Sequence, residues 1–420
     1  MNRRQFLATS AAAGVWIAGV QRGYGQEKSA NAKLNVAVVG VSGMRGSAHL
    51  GGCAGENIVA LCDIDEGFLG KAAEKLPKAS KWTDFREMLD KEKAIDAVCV
   101  STPDHLHAPI GMAAMKVGKH LYSEKPLAHS LYEARAMREL AAQKKVATQM
   151  GTQIHSEQNY RRVVELIRAG AIGKVTDVHV FVGGAWTADG WPKDDPAPAG
   201  LNWDLWTGPA AERPYSKGFH PGGGWRRYWN FGGGHLADMG CHHIDLPFWA
   251  LGLKAPKTCV AEGPPVNAVG APPWLKVTWE FDDGLKLHWT HGDKKPEIFT
   301  QGRLKWGGGN CFVGEKGMLF ADYGKLQLWP EEKFIDYEAP KPTIPNSPGH
   351  HAEWIAACKG GPPALCNFDY AGLLTECVLL GNVAYRSGKK IEWDSASLKA
   401  KNAPEADALL RREYRKGWTL

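Results

Sequence analysis

The sequence predicts an α/β protein: an N-terminal Rossmann domain plus a C-terminal α+β domain with a large, mostly antiparallel open sheet. Three observations carry this expectation. From Leu34 to Met150 short β-branched runs alternate with helical segments, the pattern of a parallel sheet with crossover helices. From Val175 onward the strands lengthen and alternate apolar with polar residues, as when one sheet face is packed and the other open. Between the two lies a Gly-, Pro- and Trp-rich tract, about residues 183–234, with no periodicity; a loop of that length inside a domain is usually functional, and its aromatic content predicts order.

Taken in order, residues 1–25 read as a targeting segment. Asn2-Arg3-Arg4-Gln5-Phe6-Leu7 resembles the twin-arginine export motif, an apolar stretch runs from Ala11 to Val20, and Gly23-Tyr24-Gly25 offers small residues for cleavage. This implies an exported, periplasmic protein that carries no membrane span once the leader is removed. The Rossmann domain is expected over 33–153, with strands at Leu34–Val39, Ile58–Asp63, Ala97–Ser101, His120–Ser123 and Ala147–Met150. Its expected helices are Gly46–Gly52, Glu66–Leu76, Ala108–Val117 and Leu131–Lys144. The second domain, 154–420, opens with a helix at Asn159–Ala169. Strands follow at Val175–Val182, Lys257–Ala261, Leu275–Phe281, Leu285–Thr290 and Met318–Ala321, with a long helix at Tyr370–Arg386.

Composition narrows the function. The formal charge of +6 falls to +3 without Arg3, Arg4 and Arg22, and the remaining cations are scattered among acids, which argues against nucleic acid as a partner. Nine cysteines with no C-x-x-C pair read as buried small hydrophobes, and no metal is expected. Seventeen tryptophans suit a protein that stacks aromatic faces on sugar rings.

A nucleotide site is written between the first two strands. Gly40, Gly43 and Gly46 fall where an apolar strand meets a helix, the place at which a phosphate needs close backbone approach and free N–H donors. The spacing is G-x-x-G-x-x-G, and Asp63 follows 23 residues after Gly40, where a carboxylate accepts from ribose hydroxyls and repels a 2′-phosphate. The expected cofactor is therefore NAD, with Gly40, Ser42, Gly43, Met44, Arg45 and Asp63 on its adenosine and phosphate portion.

Four further motifs occur in order: Thr102-Pro103-Asp104-His105-Leu106-His107; Ser123-Glu124-Lys125-Pro126; Asp238-Met-Gly-Cys-His242-His-Ile-Asp245; and Glu376 to Arg386 with Trp393-Asp394. Together they resemble the Gfo/Idh/MocA oxidoreductases, which include glucose-fructose oxidoreductase and inositol dehydrogenases. The resemblance implies that Asp238 and His242, one turn apart on a helix, meet Lys125 at the nicotinamide. His242 is then the base, Asp238 orients it and raises its pKa from about 6.5, and Lys125 steadies the hydroxyl oxygen. Ser101, Thr102, Pro103, His105, His107, Glu124 and Gln153 are expected to border the cofactor. Trp203, Trp206, Trp225, Arg226, Arg227, Tyr228 and Trp229 are candidates for sugar contact, of which Trp203, Arg227 and Tyr228 are favoured, together with His155 and Asp245. His155 stands where relatives often carry Arg.

The expected activity is NAD-dependent oxidation of a ring hydroxyl of a sugar or glycoside with a tightly bound, recycled cofactor; the alternative is glycoside hydrolysis by transient oxidation and elimination. A homo-oligomer is expected through apolar outer positions of the open sheet.

Overall fold

The computed structural model describes residues 32–300 and 306–420. The leader expected over 1–25 lies outside these residues. In the first sheet the chain runs β1 (Asn35–Val39), α1 (Gly43–Gly52), β2 (Asn57–Cys62), α2 (Glu66–Lys75), β3 (Ser80–Trp82), α3 (Phe85–Lys91), β4 (Ala97–Val100), α4 (Asp104–Lys116), β5 (His120–Ser123), α5 (Leu131–Lys144) and β6 (Thr148–Met150). All six strands are parallel, in the order β3-β2-β1-β4-β5-β6. The order reverses between β1 and β4, and in such sheets the crevice outside the strand carboxyl ends at that point binds ligands.

The second sheet follows α6 (Gln158–Arg168). β7 (Val175–Val182) leads into the Trp-rich tract, which carries α7 (Trp203–Thr207) and ends at α8 (Gly234–His243) and α9 (Asp245–Ala250). Then come β8 (Thr258–Glu262), β9 (Leu275–Glu280), β10 (Lys286–His291), β11 (Gly309–Gly314), β12 (Gly317–Ala321) and β13 (Leu326–Trp329). α10 (His350–Cys358), α11 (Phe368–Ser387), β14 (Ile391–Asp394) and β15 (Lys399–Ala400) complete the chain. The nine strands are ordered β13-β12-β11-β7-β10-β9-β8-β14-β15, and only the β7–β10 pair is parallel. α11, buried over nearly its whole length, fills the space between this sheet and the Rossmann domain.

Three of the structure's departures from the sequence expectation bear on the site and the open sheet. α3 was not anticipated, although Asp84 caps it and Phe85, Met88 and Leu89 give its buried face helical spacing. α4 begins at Asp104, not Ala108. Pro103 fixes φ at −58° ahead of the first turn and Asp104 sits at the positive end of the helix dipole, so His105 and His107 lie inside the helix. The outer sheet positions are not uniformly apolar. Lys276, Thr278, Glu280, Lys286 and His288 point outward from β9 and β10, whereas Phe181, Cys311 and Phe320 form an apolar patch that Phe299 and Trp306 cover.

The interior holds many histidines. Burial pushes His105, His243, His291 and His350 down to about 3 and His107 to about 4. Burial also pushes the carboxyls of Asp104 and Glu124 up to about 7. A histidine whose folded pKa is depressed stays neutral as pH falls through 6.5 while the unfolded chain takes up the proton, so acid removes stability; raised carboxyls act in the opposite sense. With His179 and His351 also lowered to about 4, and His49, His129 and His242 well below their usual value, the depressed histidines outnumber the raised carboxyls Asp63, Asp104 and Glu124, and each net proton is worth roughly 1.4 kcal/mol per pH unit. The expected result is a steep fall in the urea midpoint between pH 6 and pH 5, and a midpoint unchanged over that interval would contradict it.

Candidate active site

A cleft of about 920 Å³ runs along the carboxyl edge of the parallel sheet and is closed on its far side by the second domain. At one end α1 presents its N-terminus. Its N-cap Ser42 makes no side-chain cap and no acid stands in its first turn, so the N–H groups there are free for an anion. The strand-to-helix turn leaves no room for side chains. A Cβ on Gly40 (φ +83°) would lie 2.9 Å from the Ser101 carbonyl, and one on Gly46 would lie 2.5 Å from the Val41 carbonyl carbon.

Asp63 is buried just past β2. Its carboxylate accepts from the Val41 N–H (2.9 Å) and the Asp65 N–H (3.1 Å), and each oxygen keeps a lone pair for a hydroxyl. Thr102 Oγ1, Gln153 Oε1 and Glu124 Oε2 are buried atoms of cleft residues with no hydrogen-bond partner in the protein, although Glu124 Oε2 lies 3.6 Å from Arg45 Nε. A dinucleotide satisfies this set: phosphate on the α1 terminus, ribose at Asp63, and polar groups for the unpaired oxygens. Met44, Arg45, Ser101 and Pro103 also line the cleft.

At the other end Lys125, just beyond β5, meets Asp238 of α8. Lys125 Nζ donates to Asp238 Oδ1 at 2.5 Å and to the Asp238 carbonyl at 2.6 Å, and both side chains are nearly buried. Arg226 Nε donates to the same Oδ1 (3.0 Å) and Trp186 Nε1 to Oδ2 (2.7 Å). Burial works to raise the Asp238 carboxyl, but the charges of Lys125 and Arg226 outweigh it and hold the group well below the usual carboxylate range. Asp104 lines the cleft beside them; burial raises it to about 7 against the pull of Arg226.

His242 lies one turn beyond Asp238 and borders the cleft. No hydrogen bond joins the two side chains, because the Asp238 carboxylate is taken by Lys125, Arg226 and Trp186. His242 Nδ1 is buried without a partner, which leaves Nε2 as the nitrogen a substrate can reach. Burial, followed by the Lys125 charge, lowers its pKa well below 6.5, and the contribution of Asp238 is small. The expectation that Asp238 orients His242 is therefore corrected, since Asp238 orients Lys125 and Arg226; its charge does act to raise the His242 pKa, but burial and the Lys125 charge outweigh it. Tyr323 faces His242 across the cleft, its hydroxyl 2.9 Å from His243 Nε2.

Several expected site residues lie elsewhere. His105 does not line the cleft; its ring nitrogens face the Phe231 carbonyl (3.3 Å) and the Trp206 carbonyl (2.8 Å), so it clamps the Rossmann domain to the Trp-rich tract. His107 borders the cleft with its ring nitrogens 2.8 and 2.9 Å from the Pro126 and Thr102 carbonyls; the neutral ring donates to one and sits against the other, between the two loops that carry Lys125 and Thr102. His155 and Asp245 are fully buried outside the cleft, bonded to each other at 2.9 Å, with His155 stacked on Trp249 and Asp245 accepting from Tyr370. Trp203 stacks behind Trp206 (4.4 Å) and donates to the Arg213 carbonyl, and Tyr228 stacks on Trp191 (5.4 Å). Arg227 is exposed, with its guanidinium 5.8 Å from the Trp186 ring. Trp229 packs in the core under Arg386. Trp206, Trp225 and Arg226 do line the cleft.

Sequence reasoning passed over Trp186, Asp104 and Tyr323. Asp104 stood in a quoted motif and was signalled there; Trp186 and Tyr323 sit in loops whose position depends on tertiary packing.

Comparison with known proteins places the two domains. Residues 34–152 match the family model described as oxidoreductase family, NAD-binding Rossmann fold, and residues 161–420 match the model for the C-terminal alpha/beta domain of the same oxidoreductase family. An inositol 2-dehydrogenase of Salmonella typhimurium is 31% identical over 153 residues, covering 35% of this chain and 45% of that protein. A glycosyl hydrolase family 109 protein of Solibacter usitatus is 31% identical over 202 residues, covering 42% and 44%. The alignments thus span less than half the length of these relatives. The crystal structure of the WlbA dehydrogenase from Bordetella pertussis with NADH and UDP-GlcNAcA superposes with a TM-score of 0.62 at 19% identity, over 86% of this chain and 99% of that one, which establishes the shared fold. With both domains matched in order and together spanning most of its length, the chain belongs to the Gfo/Idh/MocA family of NAD-binding oxidoreductases.

Proposed function

We propose that the protein oxidises a ring hydroxyl of a sugar or glycoside and keeps its NAD through repeated cycles. The observation that carries the reading is the Lys125–Asp238 pair with His242 one turn away, at the end of the cleft opposite the dinucleotide turn. NAD, when bound, supplies the hydride acceptor and, once reduced, the donor that returns the hydride. The protein's own residues supply the rest. Lys125 donates to the substrate hydroxyl oxygen and, with Arg226, steadies the negative charge that develops as its proton leaves. His242, neutral through burial, takes that proton at Nε2.

Export by a twin-arginine leader over 1–25 and a periplasmic location belong to the proposal, since a folded protein crosses with its nucleotide in place. So does a homo-oligomer formed through the open sheet, whose uncovered part mixes polar side chains with the exposed Val260. Among the described residues no helix is long and apolar enough to cross a membrane.

Hydrolysis of a glycoside by oxidation, elimination, water addition and re-reduction is the second reading. The family 109 glycosyl hydrolase relatives favour it. Incubation with aryl glycosides separates the two: release of the aglycone with no net change in NADH supports hydrolysis, and a stable keto-glycoside supports oxidation.

The role of His242 sets a pH profile. Its pKa is lowered, so the base-competent form already dominates at neutral pH and is lost only as pH falls well below 6.5. The oxidation rate should therefore be flat through the neutral range, with its acid limb below it. His242→Asn should abolish that limb and lower turnover by roughly 10²- to 10⁴-fold. A His242→Asn enzyme with wild-type turnover, or one retaining the limb, would remove His242 from the role of base.

A further inference from the structure

Asp63 marks the adenosine end of the crevice. Here a segment of the second domain crosses it. The Glu66 N–H donates to the Gly200 carbonyl (2.9 Å), the Asn202 N–H donates to the Ile64 carbonyl (2.9 Å), and Asp65 and Leu201 form an isolated antiparallel bridge. These bonds fall within three residues of Asp63. Farther along the same tract, His220 Nε2 lies 3.3 Å from Asp65 Oδ2, and its ring stands edge-on to Phe68 at 5.8 Å. Trp206 and His220 both line the cleft, so the crossing segment forms part of its wall.

The C-terminal tail closes the other side. Trp418, also in the cleft wall, packs on Phe85 with the Arg86 guanidinium over its ring at 4.9 Å. The tail and the crossing segment are tied together: Arg415 donates to the Asp204 carbonyl (2.7 Å) and to the Gly208 carbonyl (2.5 Å), and its guanidinium lies 2.6 Å from the Asp204 carboxylate. An aromatic cluster of Trp206, Phe219, Trp225, Tyr228 and Phe231 makes the segment a packed body, not a free loop.

We propose that residues 200–223 and the C-terminal tail form a strap that retains the dinucleotide between turnovers, with the His220–Asp65 pair as its latch and Trp418 as the opposing wall. The inference rests on the reading that the cleft holds and recycles NAD. Dissociation then requires a local opening that breaks the strap's bonds to residues 64–66, and the rate of that opening limits cofactor exchange. A recycling enzyme needs this arrangement, because it works where no free NAD replaces a lost one.

The test uses the full-length protein loaded with NAD and mixed with excess isotope-labelled NAD, with the bound cofactor sampled over time by denaturation and mass spectrometry. His220→Ala and Trp418→Ala should each exchange about tenfold faster than wild type, as expected for loss of one partly buried contact. His220→Gln, which can still donate to Asp65, should exchange near the wild-type rate. Exchange in both alanine variants within about twofold of wild type would overturn the strap. A second measurement needs no variant. Limited proteolysis within 200–223 should slow about tenfold when the stripped protein is reloaded with NAD, and equal cleavage would overturn the proposal. Neither readout involves sugar. A protein that retains NAD but oxidises no sugar refutes the proposed activity alone, and one that oxidises sugar while exchanging NAD freely refutes the strap alone.

Discussion

The buried pair between Lys125 and Asp238 is the constraint on which the site depends. One partner follows a strand of the parallel sheet and the other rides on α8 of the second domain, so the pair forms only when both domains are docked. Removing one member of a buried pair leaves an uncompensated charge and costs about 3–5 kcal/mol. That penalty fixes the register of α8 against the β5 end, and with it the place of His242 one turn on. Arg226 and Trp186 saturate the same carboxylate, so its geometry is set from three directions. One carboxylate facing two cations leaves a net positive charge, which suits an oxygen that must part with its proton.

Burial supplies the second half of the chemistry. The interior that raises Glu124 and Asp104 also keeps His105, His107 and His242 neutral. His107 shows how this serves the site: buried between the Pro126 and Thr102 carbonyls and donating to one of them, it joins the loops of Thr102 and Lys125. His105 does the same between α4 and the Trp-rich tract. Both are positioning residues, and they hold the two domains at the spacing the cleft requires.

Much of this was legible in the sequence because its signals are local. β-branched runs, the Gly40–Gly46 spacing, Asp63 at a strand end and the one-turn separation of Asp238 and His242 are short-range patterns, and the structure places them in one cleft. What was not legible depends on contacts far apart in the chain. Which of the clustered aromatic and arginine side chains at 203–229 face the cleft is decided by a one-residue change of direction in a turn: Arg226 enters and Arg227 does not. His155 and Asp245 lie near site residues in sequence, yet Trp249 and Tyr370 seal them away. The partner of Asp238 was misjudged for a related reason, since helical spacing brings His242 near it but cannot show that Lys125, Arg226 and Trp186 have already taken its oxygens.

The central claim is that Lys125, Asp238 and His242 act on a sugar hydroxyl beside a resident NAD. Rapid mixing of the NAD-loaded protein with a panel of sugars and glycosides, followed by absorbance at the nicotinamide wavelength, tests it in a single turnover. The account predicts that at least one sugar reduces the bound cofactor stoichiometrically with protein, and that Lys125→Met abolishes the signal while leaving NAD bound. A wild-type protein whose bound NAD stays oxidised with every member of the panel, or a Lys125→Met variant that reduces it at the wild-type rate, would contradict it.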